Sequence, residues 1–94
     1  MKVTGIIWLR SVVEKLLWKH SVTTDEVEEV LSRSPRYRFI EPGDVEGEHL
    51  YAALGQTAVG RYLIVFFIYK ATGEALIVSA RDMTKNEKRS HAKK

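Results

Sequence analysis

Ninety-four residues suffice for one domain and leave no length for a second. A composition of 45% hydrophobic and 29% charged residues is that of a folded globule, and the absence of cysteine excludes disulfides and thiolate chemistry. The formal charge of +3 is carried by the carboxy-terminal end: residues 1–80 hold nine Lys/Arg against ten Asp/Glu, residues 81–94 six against two, a cluster suited to phosphates or an acidic partner as readily as to a solvated tail.

Val3 to Trp8 is an apolar run suited to a strand. It is too short for an export signal, and the longest apolar stretch, Tyr62 to Tyr69, falls far below the roughly 20 residues of a membrane helix, so a cytoplasmic protein without a membrane span is expected. At Ser11 the signal changes. Ser11 and Glu14 have the spacing of a capping box, and Val13, Leu16, Leu17 and His20 recur at three and four as an apolar stripe ending in an imidazole, with Lys15 and Lys19 beside it. Thr23 and Glu26 form a second box, opening a helix with Val27, Val30 and Leu31 inward and Ser34-Pro35 as its stop.

From Arg36 the period becomes two, Arg36 and Arg38 alternating with Tyr37 and Phe39 as in a half-exposed strand, until Pro42-Gly43-Asp44 breaks it. Glu48 to Leu54 reads as a strand and Gly55 to Gly60 as a loop. Tyr62 to Tyr69, β-branched and aromatic throughout, reads as a central strand covered on both faces, with Leu63, Val65 and Phe67 on one side and Ile64, Phe66 and Ile68 on the other. Thr72-Gly73 supplies a turn and Ala75 to Ala80 the last strand; connections this short imply an antiparallel meander. Thr84 with Glu87 is a third box, opening a basic helix in which residues 90–94 read as a frayed tail. The expected fold is one α+β domain over residues 1–94, an antiparallel sheet with two amino-terminal helices and one carboxy-terminal helix, in the order β-α-α-β-β-β-β-α.

The three histidines, His20, His49 and His91, are widely spaced with no H-x-x-x-H pair, so no metal site is expected. Gly55, Gly60 and Gly73 match no phosphate-loop fingerprint, and Ser79 lacks the glycines of a nucleophile elbow, so nucleotide cofactors and serine hydrolysis are not indicated either. What remains is a set of basic and acid/base groups at strand ends and helix starts: Lys19, His20, Glu48, Arg81, Lys85 and Glu87.

These residues carry a family resemblance. Lys19-His20-Ser21-Val22, then Gly47-Glu48 with Tyr51 and Gly55, then Val78-Ser79-Ala80-Arg81 followed by Thr84 and Glu87, resemble in order and spacing the BrnT toxins over nearly the whole chain. The resemblance implies a small cytoplasmic ribonuclease of a toxin–antitoxin pair with a fold similar to the RelE toxins and no cofactor. Its implied partners are RNA and a cognate antitoxin of the ribbon-helix-helix kind, with which it would form an oligomer. The chain departs from the family pattern at Leu9, Val12 and Leu16, where such chains carry Asp, Lys and Asn, and at Leu50 and Leu76, where they carry Arg.

Cleavage of RNA by its own 2′-hydroxyl needs a base for that proton, a cation at the phosphorane oxygens and an acid for the 5′-oxygen. Glu48 or His20 suits the base and Arg81 the clamp, while His20, Lys19 or Lys85 suits the donor or added charge; Lys85, Lys88 and Arg89 are expected to bind RNA. Each also has a purely architectural reading: His20 closing a helix, Glu48 pairing with a neighbouring arginine, Arg81 and Glu87 capping the last helix. The expected function is a metal-independent endoribonuclease toxin that inhibits translation. The alternative, favoured by Leu50 and Leu76, is a module of the same fold that binds an antitoxin or nucleic acid without cleaving.

Overall fold

The apolar run Tyr62–Tyr69 forms the middle strand of the sheet. In the computed structural model, which describes residues 1–93, the elements are β1 (Gly5–Ile7), α1 (Arg10–His20), α2 (Thr24–Ser32), β2 (Arg36–Glu41), β3 (Leu50–Gln56), β4 (Tyr62–Tyr69), β5 (Glu74–Asp82) and α3 (Lys85–Lys93). Their order is the one expected. The strands lie side by side as β1-β5-β4-β3-β2; β2 to β5 form an antiparallel meander, and β1 joins β5 in parallel, with Gly5 opposite Glu74 and Ile7 opposite Leu76. The sheet is thus mixed rather than wholly antiparallel. Connection length fixes direction only for strands that follow one another, and β1 reaches β5 through most of the chain, which permits either direction.

The period of two sorts the side chains between faces. Ala53, Leu63, Val65, Phe67, Ala75, Ile77 and Ala80 turn to the face covered by α1 and α2, where they pack against Leu16, Val22, Val27 and Val30 in the main core. Ala52, Leu54 and Ile64 turn to the other face and meet Met83. On the first face Leu63, Val65 and Phe67 are buried, but Phe66 and Ile68 on the second are only half-buried, so the central strand is not equally covered on its two sides.

Capping chemistry explains α2 and not α1. Thr23 accepts from the Glu26 N–H (3.2 Å) while Glu26 accepts from the Thr23 N–H (3.0 Å), the reciprocal box read from the sequence. The box expected at Ser11 and Glu14 does not form: α1 starts at Arg10 after Leu9, without a side-chain cap, and Glu14 instead pairs with Arg10 on the exposed face. The inner stripe of α1 is also narrower than expected. Leu16 is buried and Val12 and Val13 half-buried, whereas Leu17, a helical step of 100° from Leu16, is 59% exposed and Trp18 81% exposed.

The turn into β5 requires a glycine. Gly73 has φ of 91°, and a Cβ there would press on the Thr4 side chain, while the Thr4 N–H donates to the Gly73 carbonyl (2.9 Å) and so ties the start of β1 to this turn. Among the described residues no helix is long and apolar enough to cross a membrane.

Candidate functional site

On the α3 face the register lays side chains out in three rows. Arg36, Leu54, Ile64 and Arg81 are successive partners across the four strands of the meander; Arg38, Ala52, Phe66 and Ser79 form the next row; Glu41, Leu50, Ile68 and Leu76 the third. α3 lies chiefly over the first row, fastened near both ends. Near its start, Arg81 Nη1 and Nη2 donate to the two Glu87 oxygens (2.8 and 2.9 Å), and near its end Arg36 Nη1 donates to the Ser90 carbonyl (3.2 Å). Between these anchors the Lys88 ammonium lies over the Tyr62 ring, 5.5 Å from its centre, and just past the second His91 meets the same ring edge to face. The helix therefore continues through residues that read as a tail, with Lys94 alone outside the described residues.

Glu87 holds α3 in place in two ways. Its carboxylate pairs with the Arg81 fork and accepts from the Thr84 N–H (2.8 Å), while the Glu87 N–H donates to the Thr84 hydroxyl (3.1 Å), completing the third capping box. The Arg81 guanidinium, ahead of these capping bonds, holds the Glu87 carboxyl down at about 2 against an ordinary 4.5. A depressed carboxylate adds stability that is fully present above its unfolded pKa and is lost as the pH falls through the folded one. Melting temperature should therefore drop between pH 4.5 and 2, and drop less steeply in Glu87→Gln; parallel profiles for the two proteins would remove this link from the acid response.

Arg81 also lies over the Phe66 ring, 5.5 Å from its centre, at the boundary between the row under α3 and the two open rows. With Nη1 shared between Glu87 and the Asp82 carbonyl (3.1 Å), its Nε–H and one Nη2–H have no acceptor among the described residues. These two donors share one edge of the planar fork, the arrangement that binds two oxygens of a phosphate. Lys85, Lys88 and Arg89 are exposed on the adjoining helix, Arg89 Nη1 reaching Asn86 Oδ1 (3.2 Å).

His20 and Lys19 end α1 at the same end of the sheet. The His20 carbonyl accepts from Arg61 Nη2 (3.2 Å), and Arg61 pairs with Asp82 through Nε (2.8 Å) and with Glu26 through Nη1 (3.1 Å), while also reaching the Ser21 carbonyl (2.8 Å). The Arg61 hydrogen bond depresses the Asp82 carboxyl, with smaller contributions from Lys88 and His20. Sequence reading passed over Arg61. Its signal, a lone basic residue opening the most apolar strand, becomes meaningful only once two helix ends and Asp82 are seen around it.

Glu48 is elsewhere. Lys70 Nζ donates to Glu48 Oε1 (2.8 Å) and the Ala71 N–H to Oε2 (3.1 Å), and these bonds, Lys70 first, hold its carboxyl below the ordinary value. Lys70 and Ile64, the register partner of Arg81, are six residues apart in extended chain, about 20 Å. The geometry thus sets Arg81, Lys85 and Lys88 on one face and His20 and Lys19 on the other face at the same end of the sheet, and Glu48 at the opposite end, where it pairs with a lysine rather than the arginine considered from the sequence. Among the described residues no three His, Asp or Glu side chains gather into a set able to hold a metal ion.

The chain is thus a small mixed-sheet α+β domain with the Arg81 fork beside the Phe66 ring on the α3 face of the sheet. The model of the BrnT ribonuclease toxins of type II toxin–antitoxin systems matches residues 10–87, and the chain belongs to this family. Membership implies an antitoxin as partner. Among curated proteins none matches the chain.

Proposed function

We infer that the protein is a metal-independent endoribonuclease of RelE-like fold that cleaves RNA in the cytoplasm and inhibits translation until a ribbon-helix-helix antitoxin binds it. The observation that carries this reading is the Arg81 fork held over Phe66, with two N–H groups directed away from its carboxylate partner. A nucleobase stacks on the Phe66 side of the open face while the adjacent phosphate meets Arg81. Attack by the 2′-oxygen forms the O2′–P bond and breaks P–O5′; Arg81 stabilises the charge that grows on the phosphorane oxygens. His20, an imidazole at this end, acts as base or acid, and Lys19, Lys85 and Lys88 add positive charge. Glu48, already bonded and about 20 Å away, serves the β4–β5 turn instead.

The test is direct. Protein freed of its antitoxin should cut single-stranded RNA in the presence of a chelator, leaving a 2′,3′-cyclic phosphate and a 5′-hydroxyl. One observation favours the second reading, a non-cleaving binding module: Leu50, Ile68 and Leu76 stand in one row, so the two positions at which arginine was expected form a continuous apolar strip instead. Intact RNA and uninhibited growth would establish that module in place of the enzyme.

A further inference from the structure

The arginines of this chain fall into two groups. Arg10, Arg61 and Arg81 each have a carboxylate partner. Arg33, Arg36, Arg38 and Arg89 do not: Arg89 reaches Asn86 on α3, Arg36 bonds the Ser90 carbonyl, Arg38 reaches the Ser90 hydroxyl (3.5 Å), and the Arg33 guanidinium has no partner among the described residues. The first three of these cluster. These three follow the end of α2, where left-handed Ser34 (φ 51°) and Pro35 turn the chain into β2. Arg33 and Arg36 line a cavity of about 450 Å³ together with Ser34, Gln56 and His91, and among the described residues no carboxylate lines it. A second, smaller hollow adjoins it, with Arg36, Arg38 and Ser90 in its wall.

Uncompensated guanidinium groups around a concavity of nucleotide size make an anion site, because each additional cation raises the local potential while the walls exclude screening water. The cavity is not the Arg81 site. Arg36 and Arg81 occupy one row with two strands between them, about 14 Å apart, near opposite ends of α3. That separation suits successive portions of one extended polyanion better than a single small ion.

We propose that the cleft lined by Arg33, Arg36 and Gln56 is a second subsite for the RNA strand, holding a backbone phosphate remote from the one at Arg81. Arg33 and Arg36 supply the charge and the paired donors, Ser34 a hydroxyl, and Gln56, whose Nε2 donates to the Gly60 carbonyl (3.4 Å), an amide oxygen for a base edge. The inference rests on the RNA reading above and extends it from one phosphate to a track along α3.

The probe is a short single strand of 2′-O-methyl RNA, which cannot be cleaved by transesterification, titrated by fluorescence anisotropy at several salt concentrations. Arg33→Gln should weaken binding several-fold, and Arg33→Gln with Arg36→Gln about tenfold or more; the slope of log K against log salt should shrink by about 0.7 for each phosphate that is no longer neutralised. Arg33 touches no other described side chain through a polar bond, so the single variant reports on the cleft without disturbing α3. Arg10→Gln, which removes the same charge from the far end of α1, should leave both affinity and slope unchanged. Equal effects at Arg10 and Arg33, or none at Arg33, would overturn the cleft while leaving the RNA reading intact. Failure of the wild-type protein to bind the probe would overturn both.

Discussion

Phe67→Ala should strongly destabilise the protein, the larger of the two effects expected from neighbouring phenylalanines. Phe67 is completely buried under α1 and α2, with Tyr37 edge-on at 6.0 Å and Tyr51 stacked at 6.1 Å between ring centres. Removing it opens a cavity in the middle strand, where neighbours on both sides are fixed by the ladder; such truncations cost about 3–5 kcal/mol. A domain of this size has about 5–15 kcal/mol in total. Phe66 turns to the half-open face, so Phe66→Ala should cost only about 1–2 kcal/mol. Urea unfolding of the two variants decides the matter, and equal losses would mean that the second face is as well covered as the first.

Arg81→Ala should remove most RNA cleavage, about 100-fold or more, as expected when a donor to a developing oxyanion is lost. Arg81→Lys should rescue it poorly, since an ammonium retains charge without the planar pair of donors. Because Arg81 also anchors α3, circular dichroism and a melting curve must accompany the assay. Glu87→Gln removes the competing carboxylate charge and should keep cleavage near wild type, which separates loss of the clamp from loss of the anchor. Glu48→Gln should cut normally, its carboxylate being committed to Lys70 and Ala71. A strong loss at Glu48 with none at Arg81 would move the reaction to the opposite end of the sheet.

How much of this was legible in the sequence depended on the range of the interaction. β4 could be delimited to the residue because an unbroken apolar run needs no partner to be recognised. The boxes at Thr23 and Thr84 were legible for the same reason, each being closed within four residues. The Ser11 box has the same spacing and does not form, since Leu9 already turns the chain into the helix. The parallel pairing of β1 with β5 leaves no local pattern at all. Nor does the separation of Glu48 from Arg81, which depends on register: residues close to strand ends can lie at either end of a sheet until the direction of every strand is known. Arg36 and Arg38 were legible only as the exposed positions of a strand; that Arg33 joins them, and that they lack carboxylate partners, is a property of the folded surface.

The edge pairing of β1 has a bearing on how the protein is made. Its partners Glu74 to Leu76 lie about seventy residues downstream, and α1 packs chiefly on the same strand, β5. While β5 is still within the ribosome, the first twenty residues have neither ladder nor floor, whereas the hairpins of β2, β3 and β4 close locally as they emerge. The Arg81 fork belongs to that same last strand, and α3 follows it. Completion of the sheet and assembly of the candidate anion site are therefore a single late event, so an unfinished chain carries neither, and an antitoxin that recognises the finished sheet meets its target only when there is something to neutralise.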